Sequence, residues 1–229
     1  MKKLTVCAIL CAAGKGSRAG FDKNKLLIRG GETLKKTISA FDFPAIDEIL
    51  VTASEADFAE ISALCAEFAR TKVVLGGNSR SESVYNALKN AVSDIVLIHD
   101  GARPFVTRTI IESCIESVKT NGSGVCAVEC RDTIATVQKG KIVGIPDRNS
   151  LRQIQTPQGF FRENITFAYE RAFEEDSPAY TDDSSVFARY CGSPALCAGD
   201  PANVKLTYKE DFSSGAARCG FGVDSHAFG

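Results

Sequence analysis

The sequence predicts an α/β domain: a mostly parallel sheet with helices on both faces. Three observations carry this. Apolar runs rich in β-branched residues alternate with segments whose apolar residues recur at helical spacing. Glycine-bearing loops follow several of the runs directly. The 229 residues are 44% hydrophobic and 24% charged, enough for one large domain or two small ones with a substantial core.

The elements follow in order. Residues 4–11 read as a buried first strand. Met1-Lys2-Lys3 and the apolar run after them imitate a signal peptide, but the run is short and leads straight into a Gly-rich loop. Residues 33–42 look helical and 46–53 form a second strand; Phe58, Ile61, Leu64, Cys65 and Phe68 recur at helical spacing. A short strand at 72–75 precedes a helix marked by Val84, Ala87, Leu88 and Ala91. A strand at 94–98 precedes one marked by Ile110, Ile111, Cys114, Ile115 and Val118, and 124–130 is again a strand. Repeated β-α-β order implies right-handed crossovers and ligand loops at the carboxyl ends of the strands, a Rossmann-like arrangement.

The pattern breaks at about 131–158, where Val137, Ile142, Val143 and Ile145 are interspersed with Gly140, Gly144, Pro146 and Pro157. This reads as extended, hairpin-like segments: either a protruding β-arm used for dimerisation or a long irregular surface loop. Then come a helix near 162–175, a short helix near 183–190, a strand near 203–207 and a closing helix from 209.

A net charge of -1 gives no global basic field for nucleic acid or a membrane, so anion binding must come from local groups. No apolar stretch is long enough to span a bilayer. The nine cysteines show no C-x-x-C spacing, which argues against zinc and redox pairs; they read as reduced thiols in a cytoplasmic core.

Three loops carry chemistry. Ala12-Ala13-Gly14-Lys15-Gly16-Ser17-Arg18-Ala19-Gly20 follows strand one, and its glycines let backbone N–H groups turn toward a phosphate. It fits the dinucleotide G-x-G-x-x-G/A pattern only loosely. Arg18 and Lys25 add cations suited to a triphosphate, and the second strand ends in Val-Thr-Ala-Ser without a ribose-binding acid. No P-loop motif occurs. The second loop, Gly76-Gly77-Asn78-Ser79-Arg80-Ser81-Glu82-Ser83, opens a helix; it reads as an anion or base-edge site, or as a plain turn with Ser81 as N-cap. The third is His99-Asp100-Gly101-Ala102-Arg103-Pro104, where Asp100 can hold Mg²⁺ against phosphates, Arg103 can contact phosphate, and His99 takes a structural role.

Taken together, these motifs resemble those of the 2-C-methyl-D-erythritol 4-phosphate cytidylyltransferase family. The match runs in order across 4–213, through Ala-Ala-Gly-x-Gly-x-Arg at 12–18, Lys25, Gly-Gly-x-x-Arg-x-x-Ser-Val at 76–84, His-Asp-x-Ala-Arg-Pro at 99–104, Arg-Asp-Thr at 131–133, Asp-Arg-Asn at 147–149, Gln-Thr-Pro-Gln at 155–158, Thr-Asp-Asp at 181–183 and Asn-Val-Lys-Leu-Thr at 203–207. The sequence departs from the family's pattern at Asn24, Asn78 and Arg152.

The resemblance implies transfer of CMP from CTP to a small polyol phosphate, 2-C-methyl-D-erythritol 4-phosphate, with release of pyrophosphate and with Mg²⁺ or another divalent cation as cofactor. It implies that Ala12, Ala13, Gly14, Arg18 and Lys25 hold the CTP phosphates and that Gly77, Asn78 and Ser83 read cytosine and ribose. Asp100 would ligate the metal, and Arg103, Thr156, Thr181 and Lys205 would surround the acceptor and the reacting phosphates, with Arg18, Lys25 and Lys205 catalytic. It further implies a homodimer with an exchanged arm, in which Thr133 and Arg148 complete the partner subunit's site.

Residues 220–229 resemble the opening strand of the methylerythritol cyclodiphosphate synthase family, whose Asp-x-His metal ligands match Asp224 and His226. The expected division is a cytidylyltransferase domain over 1–217 and the start of a cyclase domain over 218–229, with a transition metal such as Zn²⁺ bound only if that second domain were whole. A ribitol-5-phosphate cytidylyltransferase shares most of the motifs, and the cyclase-like tail argues against it. A nicotinamide-dependent oxidoreductase is disfavoured by the cation-bearing first loop, and a non-catalytic nucleotide-binding regulator by Arg18, Lys25, Asp100 and Lys205 occurring together.

Overall fold

The computed structural model describes residues 3–14, 32–175, 180 and 182–207. Seven strands form the main sheet, in the order β3-β2-β1-β4-β8-β5-β9. β1 (Val6–Cys11), β2 (Glu48–Ala53), β3 (Thr71–Leu75) and β4 (Ile95–Asp100) are parallel. β8 (Arg152–Phe161) lies antiparallel between β4 and β5 (Ser123–Glu129), and β9 (Leu196–Ala198) pairs parallel to β5 at the edge. The α/β class with a mostly parallel sheet is therefore as expected, with one central reversed strand.

Strand alternation sorts the core into two layers. Val6, Ala8 and Leu10 of β1, with Ile95 and Leu97 of β4, face one side. There they pack against Leu34, Ile38 and Phe41 of α1 (Glu32–Phe41), Ile61 and Leu64 of α2 (Phe58–Cys65), and Ile110, Ile111, Cys114 and Val118 of α4 (Arg108–Asn121). Cys7 and Ile9, with Val96 and Ile98, face the other side. Their partners are Val84 and Leu88 of α3 (Arg80–Asn90), Ile165 and Tyr169 of α5 (Arg162–Glu174), and Val186 and Phe187 of α6 (Asp183–Tyr190). α4 lies close on β5 and β8: a Cβ on Gly124 would stand 2.7 Å from Cys114 O, and one on Gly159 would stand 2.7 Å from a Val118 methyl carbon.

Three expectations are corrected. The irregular stretch expected over 131–158 contains a small two-stranded sheet, β6 (Thr136–Gln138) with β7 (Lys141–Gly144), but from Arg152 onward it belongs to the main sheet. The polar string Arg-Gln-Ile-Gln-Thr-Pro-Gln hides that strand, because Gln155, Thr156 and Gln158 are buried by hydrogen bonding, not by hydrophobicity. Residues 203–207 form no strand: the chain is fastened to the sheet's end by single bonds, such as Leu206 N–H to Ala102 O at 2.9 Å. The N-cap of α3 is Ser79, whose hydroxyl accepts from Glu82 N–H at 3.0 Å, while the Ser81 hydroxyl is turned inward to Tyr180 O. The helix expected from 209 and the segment 218–229 lie outside the described residues.

Candidate active site

The parallel strands deliver their loops to one edge of the sheet. β1 ends at Cys11, beside Asp100 at the end of β4. Ala12 and Ala13 follow, both buried, and Ala12 N–H donates to the Thr52 hydroxyl at 3.1 Å. The loop after β3 comes in beside them, since a Cβ on Gly76 would stand 2.5 Å from Ala13 Cβ. Gly77 N–H donates to Ser83 Oγ at 3.0 Å, and Asn78 N–H donates to the Glu82 carboxylate at 2.7 Å. Ser79 and Glu82 thus act as a variant capping box that closes the loop over the helix start. Gly14 is exposed, and no atom of the described residues lies within 4 Å of where its Cβ would stand.

Asp100 is the electrostatic centre. It is buried, and among the described residues three cations surround its carboxylate: Lys205 Nζ at 2.7 Å, Arg103 Nε at 3.4 Å and Arg80 Nε at 3.6 Å. Burial pushes its pKa up, but Arg80, then Lys205 and Arg103, outweigh burial and hold it well below the ordinary carboxylate range. Arg80 also forms a fork on Asp183, with nitrogen–oxygen distances of 3.0 and 2.6 Å, and Tyr169 Oη donates to the same carboxylate at 2.6 Å. Sequence alone places Arg80 within a motif and assigns it no role. Its signal is a single cation at the first position of a helix that begins at the sheet's ligand edge.

His99 and Thr156 brace Asp100 from below. Asp100 N–H donates to Thr156 Oγ1 at 3.1 Å. His99 Nε2 faces Arg103 O at 3.2 Å and must donate there, so Nδ1 accepts from the Thr156 hydroxyl at 3.0 Å. Burial lowers the His99 pKa to about 4, and the ring is neutral at physiological pH. The structural role expected of His99 matches this geometry, and the Thr156 hydroxyl is committed to the same chain of bonds. Asn203 ties Lys205's segment down: its side-chain amide donates to Thr156 O at 2.8 Å, and its carbonyl accepts from Arg103 at 2.7 Å.

Ala12, Ala13, Gly77, Ser83, Asp100, Arg103, Thr156 and Lys205 are therefore gathered at one sheet edge, with Asn78 exposed at its rim. Thr133 and Arg148 stand apart, exposed on the arm. Arg148 donates to Arg131 O at 3.1 Å and lines an open cleft of about 690 Å³ with Arg131, Arg152 and Gly199. Arg18, Lys25, Thr181, Asp224 and His226 lie outside the described residues.

A doubly wound sheet whose ligand edge carries a Gly-bearing loop and a cation-ringed carboxylate is the architecture of a nucleotide-handling α/β protein. The profile of IspD, 2-C-methyl-D-erythritol 4-phosphate cytidylyltransferase, matches residues 6–219. A protein of that name from Clostridium acetobutylicum is 40% identical over 217 residues, covering 90% of this chain and 93% of the relative. The "Bifunctional enzyme IspD/IspF" of Nitrobacter winogradskyi is 37% identical over 239 aligned residues, and this chain spans 60% of its length. The crystal structure of 4-diphosphocytidyl-2C-methyl-D-erythritol synthase from Anaerococcus prevotii superposes with a TM-score of 0.81 at 27% identity, covering 92% of this chain and 93% of that one. This chain belongs to the IspD family of cytidylyltransferases.

Proposed function

We infer that the chain transfers the cytidylyl group of CTP to 2-C-methyl-D-erythritol 4-phosphate and releases pyrophosphate. Family membership supports the substrates, and the carboxylate ringed by Arg80, Arg103 and Lys205 is the observation that supports the chemistry. An acceptor phosphate oxygen attacks the α-phosphorus in line as the bond to pyrophosphate breaks. A phosphate monoester has a second pKa of about 6, so the acceptor is already largely a dianion and needs no general base. The neutral, fully bonded His99 accords with that.

In this reading, Ala12, Ala13, Gly14, Arg18 and Lys25 hold the triphosphate, Gly77, Asn78 and Ser83 receive the cytidine, and Arg103 and Lys205 neutralise charge at the reacting phosphates. Thr181 lies beside the acceptor, and Thr156 acts by fixing Asp100 and His99. Mg²⁺ fits the site by donor chemistry: Asp100 offers hard oxygens at a strand end, and this ion takes one or two carboxylates together with phosphate oxygens. Asp100 would hold it, and it would supply positive charge against the triphosphate.

A homodimer through the arm is part of the same proposal. Ile134, Val137, Ile142, Val143 and Ile145 on the arm are 41–65% exposed, an apolar surface suited to a second copy that would receive Thr133 and Arg148 in its site. Kinship of 220–229 with a cyclase domain, with Asp224 and His226 as metal ligands, belongs to the same proposal and is supported by the bifunctional relative; a cytoplasmic setting is proposed with it. Among the described residues no helix is long and apolar enough to cross a membrane.

The direct test is pyrophosphate release with Mg²⁺ and CTP, offering methylerythritol phosphate and ribitol 5-phosphate separately. Release with the first alone is expected. Release mainly with ribitol phosphate would keep the transfer chemistry and overturn the acceptor.

A further inference from the structure

Away from Asp100, three cysteines far apart in sequence meet at the edge of the sheet. Cys114 comes from α4, Cys126 from β5 and Cys197 from β9, and their sulfurs all lie within 4.8 Å of one another. Cys126 and Cys197 are direct partners in the parallel ladder, with sulfurs 3.4 Å apart. Cys114 reaches them because α4 lies so close on the sheet: a Cβ on Gly159 would stand 2.8 Å from its sulfur.

The spacing suits a metal. Zinc–thiolate bonds of about 2.3 Å set sulfurs about 3.8 Å apart in a tetrahedron and about 4.0 Å apart in a trigonal plane. The donor set is all sulfur, which selects thiophilic cations over Mg²⁺. Cys114 and Cys126 are fully buried while Cys197 is half-buried, which makes Cys197 the sulfur of the trio nearest solvent.

We propose that Cys114, Cys126 and Cys197 form a binding site for a thiophilic divalent cation of the Zn²⁺ type. Three S–H bonds are exchanged for three metal–sulfur bonds; the protons pass to solvent and nothing is oxidised or reduced. The ion would clamp α4, β5 and β9 together. β9 leads through Gly199 and Pro201 to Asn203 and Lys205, so the clamp would also anchor the segment that brings Lys205 to Asp100.

The test uses the full chain, reduced and handled without oxygen, with His226→Ala so that the tail offers one fewer ligand. After exposure to Zn²⁺ and desalting, about one Zn²⁺ per chain is expected, together with shared protection of Cys114, Cys126 and Cys197 from alkylation, mapped by mass spectrometry. The Co²⁺-loaded protein should show thiolate-to-cobalt charge transfer. Cys197→Ser should weaken Zn²⁺ binding by about 100-fold or more, given that even losing an outer-sphere partner costs 10–100-fold; Cys191→Ser, an exposed cysteine outside the trio, should not. Absence of stoichiometric Zn²⁺, retention of Zn²⁺ by Cys197→Ser, or protection of cysteines other than these three would overturn the proposal. The protection readout needs no cysteine substitution, so it holds even if Cys197→Ser fails to fold. It is also independent of cytidylyltransfer, so its failure would leave the proposed function standing.

Discussion

Arg80 contacts two carboxylates that lie far apart in the chain. Its fork on the fully buried Asp183 and its reach toward Asp100 join the β4 loop to α6. Arg80→Ala strands the Asp183 charge and should cost about 3–5 kcal/mol, read from urea denaturation; a loss under 1 kcal/mol would mean that water replaces the guanidinium there. Lys205 differs, being exposed and held, among the described residues, by its contact to Asp100. Lys205→Ala should leave the denaturation midpoint near that of the parent and lower kcat by about 10²-fold, the cost of losing one preorganised charge stabiliser. Near-normal turnover would remove it from the machinery. Asp100, Arg103 and Lys205 are legible in the sequence as candidate site residues because each sits in a compact motif. Arg80 is not, since its meaning depends on Asp183, more than a hundred residues away in the chain.

Among the elements, β8 shows where sequence patterns lose their hold. Strands that are continuous apolar runs, such as β1 and β4, announce themselves, and the apolar residues spaced from Ile110 to Val118 mark α4, which runs from Arg108 to Asn121. β8 sits in the middle of the sheet with Gln, Thr and Pro in its centre, stabilised by side-chain amides that bond across to Asp182 and Asp200. Such bonds have no period to read. The same strand supports a packing prediction. Gly159→Ala would place a methyl group 2.7–2.9 Å from Val118, Cys114 and Leu97, with side chains on every side. It should destabilise by about 1–3 kcal/mol in chemical denaturation; an unchanged midpoint would show that α4 can lift off the sheet. The cysteines make the same point. Linear spacing argued against a metal, yet the trio is assembled by strand register and by one helix crossing, which spacing cannot see.

Across the whole molecule, the class of fold and the edge at which the site gathers were both readable, because β-α-β order fixes which end of each strand bears the loops. The role of the arm was left open by sequence, and its attachment explains why. β5 and β8 are hydrogen-bonded neighbours up to the pair Glu129–Arg152, so the chain leaves the sheet and re-enters it at the same rung. Replacing 131–150 with Asn-Gly, a two-residue turn suited to antiparallel strands, should preserve a single cooperative melt while abolishing self-association in sedimentation. Loss of cooperative folding would show that the arm helps to hold the sheet. What the frame carries is in effect a cassette, plugged into two adjacent sockets. Its length and composition can drift, or be exchanged for a foreign hairpin, with no reindexing of the strands around it.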